Sequence, residues 1–305
     1  MSLLKDILLT MRPRQWTKNL ILFAGIVFAQ KLDESLYLLR TSGAFILFCL
    51  VSGIIYIFND VMDVEEDRIH PRKKFRPIAS GRLSIPAALS FALSGAVLGI
   101  VLSFMLGHMF GVCILVYFAM MLLYTRFLKH LVILDILVIS MGFVLRAYAG
   151  AVANPGVLVS PWLLACTLFL ALFLAICKRM NEIELLETSA NTHRKVLSEY
   201  SIAFLNQMMA IVTSTTVVAY ALYCVSEETI RKFHTKAMIL TFPFVLYGIL
   251  RYLYLVYRKG EGGEPENILL KDRPLIINII LWLMAIIFVI YSPVKLDDFL
   301  HIGGF

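Results

Sequence analysis

A chain of 305 residues that is 60% hydrophobic, only 16% charged and of mean hydropathy +0.82 is not a soluble globular protein. Its net charge of +7 lies at the margins of apolar runs, so no separate basic face exists and nucleic acid is excluded as a partner. Five scattered cysteines and six histidines show no ligand spacing, which argues against zinc and reads the cysteines as small core residues.

Taken in chain order, Met1 to Lys18 carries charges but no short apolar segment with a small-residue cleavage site, so no removable leader is expected. Nine apolar runs follow, at 19–37, 41–59, 86–107, 109–127, 131–152, 160–180, 202–224, 236–257 and 274–293. The pattern predicts an all-α polytopic membrane protein of about nine helices around a cytoplasm-facing cavity. It forms a single transmembrane domain over 1–305, because the intervals leave no room for a soluble one. With the N-terminus inside, 20 of the 28 Lys and Arg residues fall on that side and 6, namely Lys31, Arg40, Arg231, Lys232, Lys236 and Lys295, on the other. Arg146 and Arg251 remain within spans. This bias places the N-terminus and the long polar connections 60–85, 181–201 and 258–273 on the cytoplasmic side of the cell membrane. The bilayer and its anionic headgroups are the evident partners, and room is left for a homo-oligomer.

The second run ends in Asn59-Asp60-Val61-Met62-Asp63-Val64-Glu65-Glu66-Asp67, and Arg68 to Pro77 follows with Arg72, Lys73, Lys74 and Arg76. If 60–67 is helical, each residue advances about 100°, which puts Asp60, Asp63 and Asp67 within roughly 60° on one face. Three like charges there repel, and a hard divalent cation is the natural offset. The basic run supplies phosphate partners. Acid beside base thus reads as a site for a magnesium diphosphate. The alternative is a solvated charged loop, which the one-sided spacing disfavours.

Other groups share that side of the membrane. Tyr124 to Lys129 precedes Asp135; Lys178 and Arg179 with Glu182 close the sixth run; Gly260 to Glu266 leads to Asp272-Arg273; Arg12 to Lys18 opens the chain. Each has a plainer reading. Arg14, Lys18, Arg126 and Lys129 also suit positive-inside anchors, Trp16 and Tyr124 interfacial aromatics, and Gly262-Gly263 a turn. Glu182 follows Lys178 at i+4 and suits a pair with it. Asp135 and Arg146 lie at membrane depth, where ionisable groups face a partner or a polar cavity.

Asn59-Asp60-x-x-Asp63-x-x-x-Asp67 resembles the first acidic motif of the UbiA-type intramembrane prenyltransferase superfamily. Within it, the ordered set Arg12-Pro-Arg-Gln-Trp-x-Lys-Asn19, Asp67-Arg-x-His-Pro-x-Lys73, Phe75-Arg-Pro-Ile-Ala79, Tyr124 to Lys129, Asp135, Arg146, Lys178-Arg-x-x-Glu182 and Gly263-Glu-Pro-Glu266 with Asp272-Arg273 is similar to decaprenyl-phosphate phosphoribosyltransferases. The resemblance implies Mg²⁺-dependent transfer of 5-phosphoribose from phosphoribosyl pyrophosphate to a polyprenyl phosphate. It implies Asp60, Asp63 and Asp67 as catalytic metal ligands. As substrate contacts it implies Asn59, Lys73, Lys74, Arg76, Tyr124, Lys129, Asp135, Arg146, Lys178, Arg179, Glu182, Gln15 and Lys18. Ordinary prenyltransferases resemble one another in a second aspartate motif after span six. Here Lys178 to Glu187 contains no aspartate, and its basic residues suit phosphates that need no metal. A prenyltransferase acting on an aromatic acceptor is the second reading. A transporter using Asp135 and Arg146 is a third, although Gly and Pro lie mostly at span ends, with Gly142 and Pro243 the exceptions.

Overall fold

The computed structural model describes residues 3–187, 199–259, 268 and 271–292, with the backbone alone for 184–187. Every regular element among them is helical. They are α1 (Leu3–Thr10), a 3₁₀ stretch Pro13–Phe23, α2 (Ala24–Phe28), α3 (Ser35–Met62), α4 (Val64–Ile69), α5 (Ile85–Leu106), α6 (His108–Arg126) and α7 (Leu134–Val152). Then come α8 (Pro161–Glu187), α9 (Ile202–Val225), α10 (Glu227–Phe233), α11 (Phe242–Lys259) and α12 (Arg273–Tyr291). Eight described helices, α3, α5 to α9, α11 with the turn before it, and α12, are long and apolar enough to cross a membrane. A backbone in hydrocarbon must satisfy its own polar groups, and helices do so within the segment. The chain divides into two compact units, Met1–Val159 and Ser160–Phe305.

The expected first span, 19–37, is not one helix. The chain instead winds as a 3₁₀ helix over Pro13–Phe23, continues as α2, and turns at Gln30, whose φ is +56°. At about 2.0 Å per residue in the 3₁₀ part and 1.5 Å in α2, this path covers roughly 30 Å, the thickness of the hydrocarbon layer. The tight winding accompanies close packing on α7. A Cβ at Gly25 would lie 2.9 Å from the Ala151 Cα, and one at Gly150 would strike the Leu22 carbonyl.

In the first unit α3 is central. More than half of its membrane window is buried, against 22% for α5, which shows Leu93, Val97, Leu98 and Val101 outward as a lipid face. Phe48, Val51 and Ile55 of α3 pack with Leu22, Phe110, Ile114, Tyr117 and Ala149. At one end of this unit Arg40 donates to the carbonyls of Ala153 at 2.9 Å and Leu106 at 2.5 Å, so the start of α3 satisfies the orphan ends of α5 and α7. Asn154 donates to Thr41 at 2.8 Å beside it. At the other end the connection from α3 to α5 is packed, not solvated. Val64, Ile78 and Leu83 are buried with Ile7, Met11, Ile54, Ile57, Ala88, Ala92 and Ala96. Gly81, at φ +77°, turns this segment back towards α5.

In the second unit α8 pairs with α9, and α11 with α12. Tyr220 shares a 2.7 Å hydrogen bond with Thr241 and accepts one from Trp282 at 3.0 Å. Asp272 caps α12 by accepting from the Leu275 N–H at 3.0 Å, and Arg251 forks onto both its oxygens at 3.1 and 2.8 Å. The Arg251 hydrogen bond holds the Asp272 carboxyl below its usual range. Its stabilising contribution is therefore present above the ordinary carboxylate value and is lost as pH falls through the lowered one.

The glycine contacts give the first test. Gly150→Ala meets backbone that cannot move aside and should cost about 1–3 kcal/mol. Gly43, on α3, has nothing within 4 Å of a built Cβ, and its change to Ala should gain about 0.5–1 kcal/mol. Melting in detergent should fall for the first variant and hold or rise for the second. Equal melting points would show that the close approach is not a stability determinant.

Candidate active site

The site grows from the last turn of α3. Asp60 is 2% exposed there, at the edge of an apolar helix, and a bare carboxylate in that position is costly. It is offset twice. Arg76 Nη1 donates to Asp60 Oδ1 at 3.2 Å, and Arg12 Nη2 donates to the same oxygen. The same Arg76 nitrogen donates to Asp67 Oδ2 at 2.6 Å, and Asp67 is also 2% exposed. Lys73 Nζ stands 4.0 Å from the other Asp67 oxygen. One guanidinium thus bridges two buried carboxylates that are seven residues apart, one in α3 and one in α4.

Asp63 departs from that face. The helix ends at Met62, Asp63 has non-helical φ −95° and ψ 12°, and α4 starts at Val64. The break turns the Asp63 carboxylate to Lys129, whose Nζ lies 2.7 Å away on the turn after α6. The three aspartates therefore do not converge, and no three-residue metal group of His, Cys, Asp or Glu occurs among the described residues. The one-face expectation is corrected to a pair, Asp60 with Asp67, and a neighbouring ion pair, Asp63 with Lys129. Asp60 and Asp67, which share the Arg76 guanidinium, still offer hard carboxylate oxygens of the kind Mg²⁺ takes one or two of, completing its shell with water or phosphate.

The basic run is oriented locally. His70 Nδ1 accepts from the Arg72 and Lys73 N–H groups at 3.1 and 3.2 Å, and Arg82 donates to the Phe75 carbonyl at 3.0 Å. Lys74 is exposed, 5.3 Å from the Phe75 ring. Asn59 is half-buried beside Asp60, Gln15 and Lys18 are half-buried on the 3₁₀ stretch, and Tyr124 and Asp135 are buried at the facing ends of α6 and α7. Sequence reasoning gave no role to Arg12 or His70. Arg12 lies 48 residues before Asp60, so no spacing could link them. The His-Pro pair ahead of the basic run was the available signal for His70.

Arg146 lies deeper, on α7. It is 7% exposed and donates to Asn19 Oδ1 at 2.7 Å, the Gly142 carbonyl at 2.9 Å and the Tyr117 hydroxyl at 2.6 Å. Its guanidinium also lies over the rings of Tyr117, Phe143 and Phe48. Asn19 in turn donates towards Cys49 and Ser52. This network ties α7, α6, α3 and the 3₁₀ stretch together at depth, and the hydrogen bonds Arg146 makes here are all internal. In the second unit, Lys178 is exposed near the end of α8, and buried Arg179 pairs with Glu182 three residues on. Residues 260–266 lie outside the described residues.

An all-helical fold with paired carboxylates and a basic run at one helix end defines a class that comparison identifies. Residues 20–270 match the UbiA prenyltransferase family, and the chain belongs to that family. It is 36% identical to a decaprenyl-phosphate phosphoribosyltransferase of Mycolicibacterium smegmatis, over 95% of this chain and 94% of that one. It is 35% identical to the protein of that name from Corynebacterium glutamicum, over 92% and 85%. A solved UbiA homologue from Archaeoglobus fulgidus, bound to GPP and Mg²⁺, aligns with a TM-score of 0.71 at 18% identity, covering 94% of this chain and 100% of that one. That likeness concerns the fold.

The Arg146 network yields a second test. Arg146→Met should leave the Asn19 and Tyr117 groups unmatched, at about 1–3 kcal/mol each, and lower the melting point sharply. Affinity of the folded fraction for phosphate ligands should stay at the wild-type level. Wild-type melting with weakened ligand binding would restore Arg146 as a substrate contact.

Proposed function

We propose that the protein transfers 5-phosphoribose from phosphoribosyl pyrophosphate to a polyprenyl phosphate of decaprenyl type, releasing pyrophosphate. The observation that carries this reading is the buried Asp60–Asp67 pair bridged by Arg76, with Lys73 and Lys129 close by: more cations than a single prenyl diphosphate would engage. The names of relatives at 36% and 35% identity over most of the chain support it. The family match spans both units and supports one functional domain over 1–305. The Lys and Arg bias supports a cytoplasmic site on the inner face of the cell membrane.

Asp60 and Asp67 would hold Mg²⁺, with Asp63 beside them, and the ion would neutralise the diphosphate leaving group. Arg76 and Lys73 bind phosphate oxygens through charge-assisted hydrogen bonds. Lys74 serves the rim. Asn59, Tyr124, Lys129, Asp135, Gln15 and Lys18 are proposed to complete the surround of the sugar and its 5-phosphate. Lys178, Arg179 and Glu182 are proposed phosphate-site residues of the second unit. In the reaction the C1–O bond to pyrophosphate breaks and its electron pair leaves with pyrophosphate. A lipid phosphate oxygen forms the new bond to C1. The carboxylates favour positive charge developing at C1. The acceptor phosphate is already anionic near neutral pH, so no general base is assigned. Its apolar chain lies between spans open to the bilayer.

Thermal shift with Mg²⁺ and each candidate donor tests the reading, because a ligand stabilises the state it binds. Phosphoribosyl pyrophosphate should raise the melting point, and Asp60→Asn should abolish that rise while lowering turnover by roughly 100-fold or more. Stabilisation and turnover with a polyprenyl diphosphate plus an aromatic acceptor, and none with phosphoribosyl pyrophosphate, would establish the prenyltransferase instead.

A further inference from the structure

We infer that the acid pair is a gated metal site. Arg12 and Arg76 sit on its carboxylates as place-holding cations and transfer to phosphate oxygens when a diphosphate arrives together with the metal. The inference rests on the proposed function and deepens it. It assigns Arg12 as a further substrate-binding residue, and it sets an order in which metal does not bind ahead of diphosphate.

Charge balance is the first argument. Asp60 and Asp67 are two acids, and Arg12, Arg76 and, at 4.0 Å, Lys73 are the cations that stand against them. Both guanidinium groups reach the same oxygen, Asp60 Oδ1. A bare Mg²⁺ would have to shed water, which it does reluctantly, and displace cations that then have no anion to go to. A magnesium diphosphate brings both halves of an exchange. The metal takes the carboxylates, the phosphate oxygens take the guanidinium groups, and no buried charge is left unmatched.

Exposure is the second argument. The two carboxylates are 2% exposed, whereas the side chains of Arg12 and Arg76 are 28% and 26% exposed. An arriving anion meets the arginines first. Asp63 with Lys129 is built differently, at 14% and 7%.

Backbone is the third. Arg12 has φ 53° and ψ 67° between α1 and the 3₁₀ stretch, and Pro13 follows it. The left-handed region is disfavoured for a residue with a Cβ, and the residue before proline prefers extended backbone. The Asp60 contact, and the Tyr56 ring 4.7 Å below the guanidinium, hold the side chain in place. Such strain at a ligand-facing position fits a group that moves on binding.

Calorimetric titration of the full chain in detergent tests this with three probes, MgCl₂ alone, MgCl₂ with pyrophosphate and MgCl₂ with phosphoribosyl pyrophosphate. Wild type should bind Mg²⁺ far more tightly when pyrophosphate is present. Arg12→Gln should shift the two affinities in opposite directions. Mg²⁺ alone should bind about tenfold tighter because a competing cation is gone, and magnesium pyrophosphate about tenfold weaker because a charge-assisted contact is lost. If Arg12→Gln fails to fold, Arg12→Met, which also removes the charge but keeps a long apolar stem, should show the same pair of opposite shifts. Shifts of the same sign, or none, overturn the inference. So does a wild type that binds Mg²⁺ equally well with and without pyrophosphate. If wild type binds neither magnesium pyrophosphate nor magnesium phosphoribosyl pyrophosphate, the proposed function falls and the inference with it. Wild-type binding of both, with an unmoved Arg12→Gln, removes the inference alone.

Discussion

Two carboxylates buried at the margin of an apolar helix need a counter-charge, and Arg76 provides it for both at once. Its Nη1 lies 3.2 Å from Asp60 and 2.6 Å from Asp67. Each anion alone would favour neutralisation or solvent. Together with Arg76 they form an array of matched partners in a poorly hydrated place. Much of the surrounding structure keeps that array in register. Ile78 and Leu83 flank the turn after Arg76 and are 1% exposed, which fixes the segment that delivers the arginine. His70 gathers the N–H groups of Arg72 and Lys73 and sets the direction of the basic run.

The rest of the first unit is a frame for this end. Arg40 and Asn154 join the opposite ends of α3, α5 and α7. Arg146, Asn19 and Tyr117 bind the frame at mid-depth. Between these ties the packing is apolar, and glycine at 25 and 150 lets the 3₁₀ stretch lie against α7. Polar residues in the first unit thus fall into two sets: some hold helices to one another, and others gather opposite charges at one end. Burial alone does not separate the two, since Arg146 and Asp60 are both buried. Their partners do. Arg146 faces neutral groups of the frame, whereas Asp60 faces cations that are partly open.

Much of this was legible in the sequence. Runs of about twenty apolar residues located the long helices, because bilayer thickness dictates their length. The spacing of Asp60 and Asp67 located the acid pair. What escaped had physical causes. A helix that ends at Met62 moves Asp63 off the shared face, and periodicity assumes an unbroken helix. The 3₁₀ winding of Pro13–Phe23 goes with a close approach of Leu22 to Gly150 that no local pattern reports. Arg12 meets Asp60 across 48 residues, and Arg146 meets Asn19 across 127, so both contacts exist only after folding. Basic residues at a membrane edge look alike in sequence whether they anchor headgroups, as the exposed Lys74 can, or pair with a partly buried acid, as Lys129 does.

The most direct test follows the sugar. Purified protein is incubated with phosphoribosyl pyrophosphate labelled in the ribose, a polyprenyl phosphate and Mg²⁺, and the mixture is extracted with organic solvent. Label should move into the lipid phase only when all three are present, with one pyrophosphate released for each sugar transferred. Pyrophosphate release without labelled lipid, or label transfer that persists in Asp60→Asn, would contradict the account.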